Sequence, residues 1–176
     1  MPIRSFEDKR PRIADSAYID PSAVVIGDVS IGAHSSLWPL VVARGDVNSI
    51  AIGEYTNIQD GSVLHVTHDG PFSPGGHALR IGSHVTAGHR AILHACTVED
   101  YCLIGMAATV MDGAILRARL ILAAGSLVPS GKDLEGGYLY VGSPAKPVRA
   151  LTDTELAFLE YSAGHYAKLA ERHRGP

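Results

Sequence analysis

Aliphatic residues recur every six positions along most of this chain, and that period constrains its fold more than any other feature. They stand at Ile13, Ile19, Val25, Ile31, Leu37 and Ala43, then after a step of nine at Ile52, Ile58 and Leu64. After a step of seventeen they resume at Ile81, Ala87 and Leu93, lose one residue, and run on from Val98 through Ile104, Val110, Leu116, Leu122 and Val128. Small or compact residues sit four places on, among them Ala23, Val29, Ser35, Val41, Val47, Val85, Ala91, Thr97, Cys102 and Ala108. A helix repeats at 3.6 residues and a plain strand at two, so neither explains a six-residue step. Short strands with two inward side chains, a turn, and a new direction do explain it: a parallel β-helix, each coil pairing with the one below and unable to bury its face alone. Gly32, Gly53, Gly82, Gly88 and Gly105 follow repeat residues, where turns crowd the backbone. The competing reading is a sandwich of short strands with Gly-rich turns. Only 6% of the residues are aromatic, and the apolar mass is mostly Val, Ile, Leu and Ala, as narrow stacked strands require.

The pattern resembles the hexapeptide repeat of left-handed β-helix proteins, and the resemblance implies a three-sided prism. The chain divides into an N-terminal arm (1–12), the repeat (13–133), an exit segment (134–151) and a C-terminal helix (152–174). Pro144 and Pro147 exclude a helix from the exit segment, whose GSPAKPVR is similar to that of hexapeptide-repeat proteins. Thr152 and Glu155 have the spacing of a capping box, and Leu156, Leu159, Ala163, Tyr166 and Ala170 form an apolar stripe. The fold class is all-β with one C-terminal helix.

A formal net charge of −3 with no basic cluster argues against a nucleic-acid surface. No apolar run approaches the ~20 residues of a membrane span, and the N-terminus lacks the apolar core of a signal peptide. Cys96 and Cys102 do not make a disulfide framework, so a cytoplasmic setting is expected. Cys102 falls at an inward position and Cys96 at an outward one.

The repeat serves as a coordinate system for the histidines. His65 follows Leu64 and His94 follows Leu93, three repeat steps and hence one coil later. Two imidazoles one rung apart, ~4.8 Å, can converge on a single ion. The same count puts Arg44, after Ala43, in that column, with Asp46 beside it. His89, two places after Ala87, lies on the preceding face, which also carries Gln59. Metal–nitrogen bonds of ~2.0–2.1 Å give His89 no reach to an ion held by His65 and His94 of its own chain. A second copy can supply it, and a head-to-tail ring of three would build three equal sites. Three neutral imidazoles with an open position make a catalytic zinc centre; the same donors accept Fe2+ or Co2+.

ARGDVNSIAIGEYTNIQDGSVLHV and GHRAILHAC together resemble the γ-class carbonic anhydrases over roughly residues 10–165. The resemblance implies a homotrimer, zinc held by His65 and His94 of one subunit and His89 of the next, and hydration of CO2 to bicarbonate by a metal-bound hydroxide. It gives Arg44 and Asp46 an ion pair that shapes the interface, sets Gln59 and Asn57 near the hydroxide, and makes Tyr161 a site tyrosine on the helix. Val47 stands where the founding pattern has a Glu, and VTHDGPFSPGGHAL replaces its acidic proton-shuttle loop, leaving His68 or Asp69 to serve. The alternatives are a hexapeptide-repeat acyltransferase and a catalytically weak, metal-bound trimeric scaffold.

Overall fold

Strands of mostly two or three residues, joined by tight turns, stack into a three-sided prism in the computed structural model, which describes residues 3–174. The coil winds left-handed. One face stacks Val63–His65, Ile92–His94, Thr109–Val110 and Leu127–Val128. The next stacks Leu79–Ile81, Thr97–Val98, Ile115–Leu116 and Asp133–Leu134. Two longer strands, Val24–Ile31 and Val42–Ile52, run round the edge between these faces and join them in one sheet. The third face runs from Tyr18–Ile19 through Ser36–Leu37, Asn57–Ile58, Thr86–Ala87, Leu103–Ile104 and Ile121–Leu122 to Tyr138–Gly142.

Register follows the aliphatic period. Leu64 pairs with Leu93, Ile58 with Ala87, and Ile81 with Val98. Leu37, Ile58, Leu64, Leu93, Ile104, Leu116 and Leu122 are completely buried and belong to one continuous core. The second inward position departs from expectation where the period slips. Val47 is exposed and Thr97 partly so, while Ile50 and Cys96 take the core positions. The inward compact residue lies two places before the next aliphatic residue. Counting four places forward from the previous one gives the same answer only in an unbroken hexad. Cys96 is therefore a core residue, not an outward thiol, and burial pushes its thiol up to about 12, as it does for Cys102.

Turning tightly at the prism edges requires residues with positive φ. One edge fills these positions with His34, Tyr55, His84, Tyr101 and Arg119, at φ of 53–60°. Their side chains stack: His34 on Tyr55 at 4.7 Å, Tyr55 on His84 at 5.2 Å, His84 on Tyr101 at 4.6 Å, with the Arg119 guanidinium 4.7 Å above Tyr101. His34 and His84 are thus half-buried members of a ladder. Glycines answer a different need. A Cβ on Gly105 would stand 2.4 Å from the Ala124 backbone nitrogen, so only hydrogen fits there.

The exit segment forms an antiparallel hairpin, Tyr138–Gly142 with Ala145–Ala150, ending the third face. The helix Asp153–Arg174 then runs back over that same face. Its start has the capping-box bonds: Thr152 N–H donates to Glu155 Oε2 (2.9 Å) and Glu155 N–H to Thr152 Oγ1 (3.2 Å). Arg149 adds two bonds to the same carboxylate at 2.7 and 2.8 Å. Its buried side is small: Ser162, Ala163, Ala167 and Ala170, with Leu159. Small residues let the helix lie close to the strands, and Trp38 and Tyr18 pack under its far end with Ala170.

Candidate metal centre

His65 and His94 occupy paired positions on adjacent rungs of the first face. Their rings converge, with His65 Nδ1 3.0 Å from His94 Nε2. Two nitrogens on a tetrahedral ion with bonds of 2.0–2.1 Å stand about 3.3 Å apart, so this pair is spaced to share one ion. Carboxylates fix both rings from behind. Asp112 accepts from His94 Nδ1 at 2.6 Å, which leaves Nε2 as the free donor nitrogen. Asp46 Oδ1 lies 3.3 Å from His65 Nε2, and Asp46 Oδ2 accepts from Arg44 Nη1 at 2.5 Å.

The charges favour ligation. Burial and the Arg44 charge depress His65 below the usual imidazole range against the pull of Asp46, a shift toward the neutral ring that binds a metal. Burial alone would raise Asp112, but the Thr67 hydroxyl and the His94 ring outweigh it and hold the carboxyl below its ordinary range. Asp46 is lowered in the same way, burial being overcome by Arg44 and His65.

His89 stands apart, on the edge where the third face turns into the first. Its side chain is 47% exposed, and its Nδ1 contacts Asp60 Oδ2 at 2.9 Å. Among the described residues of one chain, no group of three or more His, Cys, Asp or Glu side chains is placed to hold an ion. The donor set fits a metal completed from outside: two oriented imidazoles on one edge and a third, carboxylate-backed imidazole on another.

Gln59 and Asn57 are buried on the third face, near the His89 edge. Gln59 Nε2 donates to Asn57 Oδ1 (3.0 Å), Asn57 Nδ2 to Thr86 Oγ1 (2.9 Å), and Thr86 meets Ser162 Oγ of the helix at 3.0 Å. The Gln59 amide is thereby fixed in orientation. Tyr161 projects into solvent, 64% exposed, against Phe158 and His165. The helix tyrosine beside Gln59 is instead Tyr166, whose hydroxyl is raised by burial and by the Asp60 charge.

Sequence reading passed over Asp112, Asp60 and Tyr166, although a signal existed for the two carboxylates. Asp60 is two places after Ile58 as His89 is two after Ala87, and those repeat residues pair. Continuing the His65–His94 column one rung further, past Val110, arrives at Met111, and Asp112 is the residue after it. Tyr166 carried no such signal, because helix position against the prism depends on Ser162 and the alanines.

No family model matches the chain. It is 49% identical over 166 residues to protein YrdA of Escherichia coli (strain K12), covering 94% of this chain and 90% of that one. It is 46% identical over 166 residues to the mitochondrial gamma carbonic anhydrase 1 of Arabidopsis thaliana, covering 94% of this chain but only 60% of that protein's length. The crystal structure of a hexapeptide transferase family protein from Anaplasma phagocytophilum superposes with a TM-score of 0.89 at 40% identity, over 96% of each chain. The chain belongs to the γ-carbonic-anhydrase-like family of hexapeptide-repeat, left-handed β-helix proteins.

Proposed function

We infer that this protein is a zinc-dependent carbonic-anhydrase-like lyase, active as a homotrimer and interconverting CO2 and bicarbonate where two copies meet. The observation that carries this reading is the convergence of His65 and His94 on one edge while His89 faces outward from another. His65 and His94 of one subunit and His89 of the next would hold the ion; Fe2+ or Co2+ suits the same donors. A metal there supplies a Lewis acid that makes hydroxide available near neutral pH. Asp112 keeps the His94 proton on Nδ1, and Asp60 does the same for His89. Arg44 and Asp46 hold the His65 ring and shape the contact between copies. Asn57 fixes Gln59, whose amide orients substrate beside the His89 edge. Hydration adds the oxygen of water to the carbon and releases one proton. His68 is placed to pass that proton to solvent, since it lines a cavity of about 680 Å³ with Thr67 and Asp112. Asp69 is engaged by the Gly75 N–H and serves less well. The two unpaired, buried thiols agree with a cytoplasmic setting. Among the described residues, no helix is long and apolar enough to cross a membrane.

Stopped-flow hydration of CO2 by fully zinc-loaded protein tests the reading. A rate above buffer at neutral to mildly alkaline pH is expected. No such rate, with zinc bound stoichiometrically, leaves a metal-bound scaffold instead. The acyltransferase alternative draws on the name of the Anaplasma protein; acyl transfer from coenzyme A that survives complete metal removal would favour it.

A further inference from the structure

Two features of the surface have no partner among the described residues. The first is the hairpin that leaves the prism directly after His65. It is closed by Thr67 and His77, each donating its N–H to the other's carbonyl at 3.0 Å, and by Gly70 with Ser73. Its root is tied to the metal centre, because Thr67 donates its hydroxyl to the same Asp112 that holds His94. At its tip Phe72 is wholly exposed. An ordered hairpin that presents an aromatic ring to water leaves a large apolar side chain unburied.

The second is an apolar groove of about 380 Å³ between the helix and the lower third face, walled by Leu103, Ile121, Met106, Phe158 and Tyr166. Gln59 and His89 also line it. Met106 is 57% exposed and Phe158 49%. Hairpin and groove lie at opposite edges of the first face. His89 and His94 are separated by five residues, roughly 16 Å of extended chain, and the groove lies round the further corner. The hairpin packs beside Asp112 and Gly113 at its own edge and leaves Phe72 free.

Charge follows the same division. Asp69 on the hairpin and Arg90 beside His89 have no ion-pair partner among the described residues, whereas Arg44, Arg117 and Arg119 each have one. The contact that would bring His89 of one copy to His65 and His94 of another would also bring an open groove and a free cation to a free ring and a free anion.

We propose that the hairpin 67–77 of each copy docks on its neighbour, seating Phe72 in the groove under the neighbour's helix and setting Asp69 against the neighbour's Arg90. The occupant is a second copy of this chain. The hairpin then covers the shared metal edge from outside, and Gln59 and Tyr166 are enclosed by a residue from the adjacent subunit. The proposal rests on the shared-edge reading above and adds which segment closes it.

Thiol cross-linking tests it, because Cys96 and Cys102 are buried with raised pKa values and leave engineered thiols to react alone. Phe72→Cys and Phe158→Cys are both solvent-facing changes. With a short bismaleimide linker, the double variant should give covalent dimers and trimers on a denaturing gel, and an equal mixture of the two single variants covalent dimers. Each single variant alone should give none. Cross-linking of Phe72→Cys with itself would show the tips meeting one another and overturn the proposal. So would a double variant that is trimeric by native mass yet does not cross-link. Separately, Asp69→Arg should raise the subunit dissociation constant at least tenfold, and adding Arg90→Asp should recover most of the loss; no recovery counts against the pairing. A monomeric native chain removes both the docking and the shared centre. Cross-linked, zinc-bound trimers that do not hydrate CO2 remove the enzymatic reading and leave the docking intact.

Discussion

In the proposed centre, a histidine is made ready as a ligand by what stands behind it. Asp112 sets the His94 tautomer from the rung above, and without that carboxylate the ring can rotate or present the wrong nitrogen. Asp112→Asn is expected to weaken metal binding about 10- to 100-fold while leaving the melting temperature of the metal-free protein nearly unchanged, as competition with a chromogenic chelator and calorimetry would report. His89→Ala should lower bound zinc sharply, measured by elemental analysis, while native mass still reports a trimer, because no core contact involves that exposed ring. At this scale much was legible. Position in the repeat places His65, His94 and His89, since a whole coil separates the first two. Cys96 was misplaced by the same method, because a slipped period shifts the inward position relative to the residue before it but not the residue after it. Tyr166 was recognised as part of an apolar stripe; its place beside Gln59 depends on how deeply four small helix residues let the helix sink.

Elements are held by features that one substitution can remove. Gly105 lies so close to the next coil that Gly105→Ala forces backbone apart; a loss on the order of 1–3 kcal/mol in a denaturant titration is expected, with the added methyl giving no compensating burial. The helix start depends on the reciprocal bonds of Thr152 and Glu155, and Thr152→Ala should cost about 1 kcal/mol. Its pH dependence has a definite sign. Bonds from Arg149 first, and from the Thr152 backbone next, depress Glu155 to about 2. A carboxyl whose pKa is lower when folded binds fewer protons than its unfolded counterpart, so its contribution is complete above the usual Glu range and is lost as pH falls toward 2. Helical ellipticity should therefore fade across that interval, and less so in Glu155→Gln, which no longer titrates. The capping box was readable from two residues three apart. The hairpin of the exit segment was not, because Pro144 and Pro147 exclude a helix without selecting what replaces it.

Across the whole molecule, core and centre are separable. The core is one column of aliphatic residues filled coil by coil, and the histidines project outward from it. Chelating the metal should leave far-UV ellipticity unchanged, and a collapse on chelation would show that the ion holds the prism together. The period made this architecture legible, since it fixes which residues face inward whatever decorates the outside. The proposed contacts between copies were less so: exposed residues such as Phe72 and Arg90 carry no periodic mark, and their chemistry shows only once the edges on which they stand are known.

The ring ladder along the His34–Arg119 edge has a consequence for how this prism tolerates change. Each of those residues holds a left-handed backbone that costs an L side chain roughly 1–2 kcal/mol, and aromatic contacts of about 0.5–1.5 kcal/mol above and below can repay it. Tyr55→Gly would relax the main chain and empty the stack together, so the two changes largely cancel. Tyr55→Val would keep the strained backbone and lose the neighbours, making a seemingly milder exchange the more damaging one.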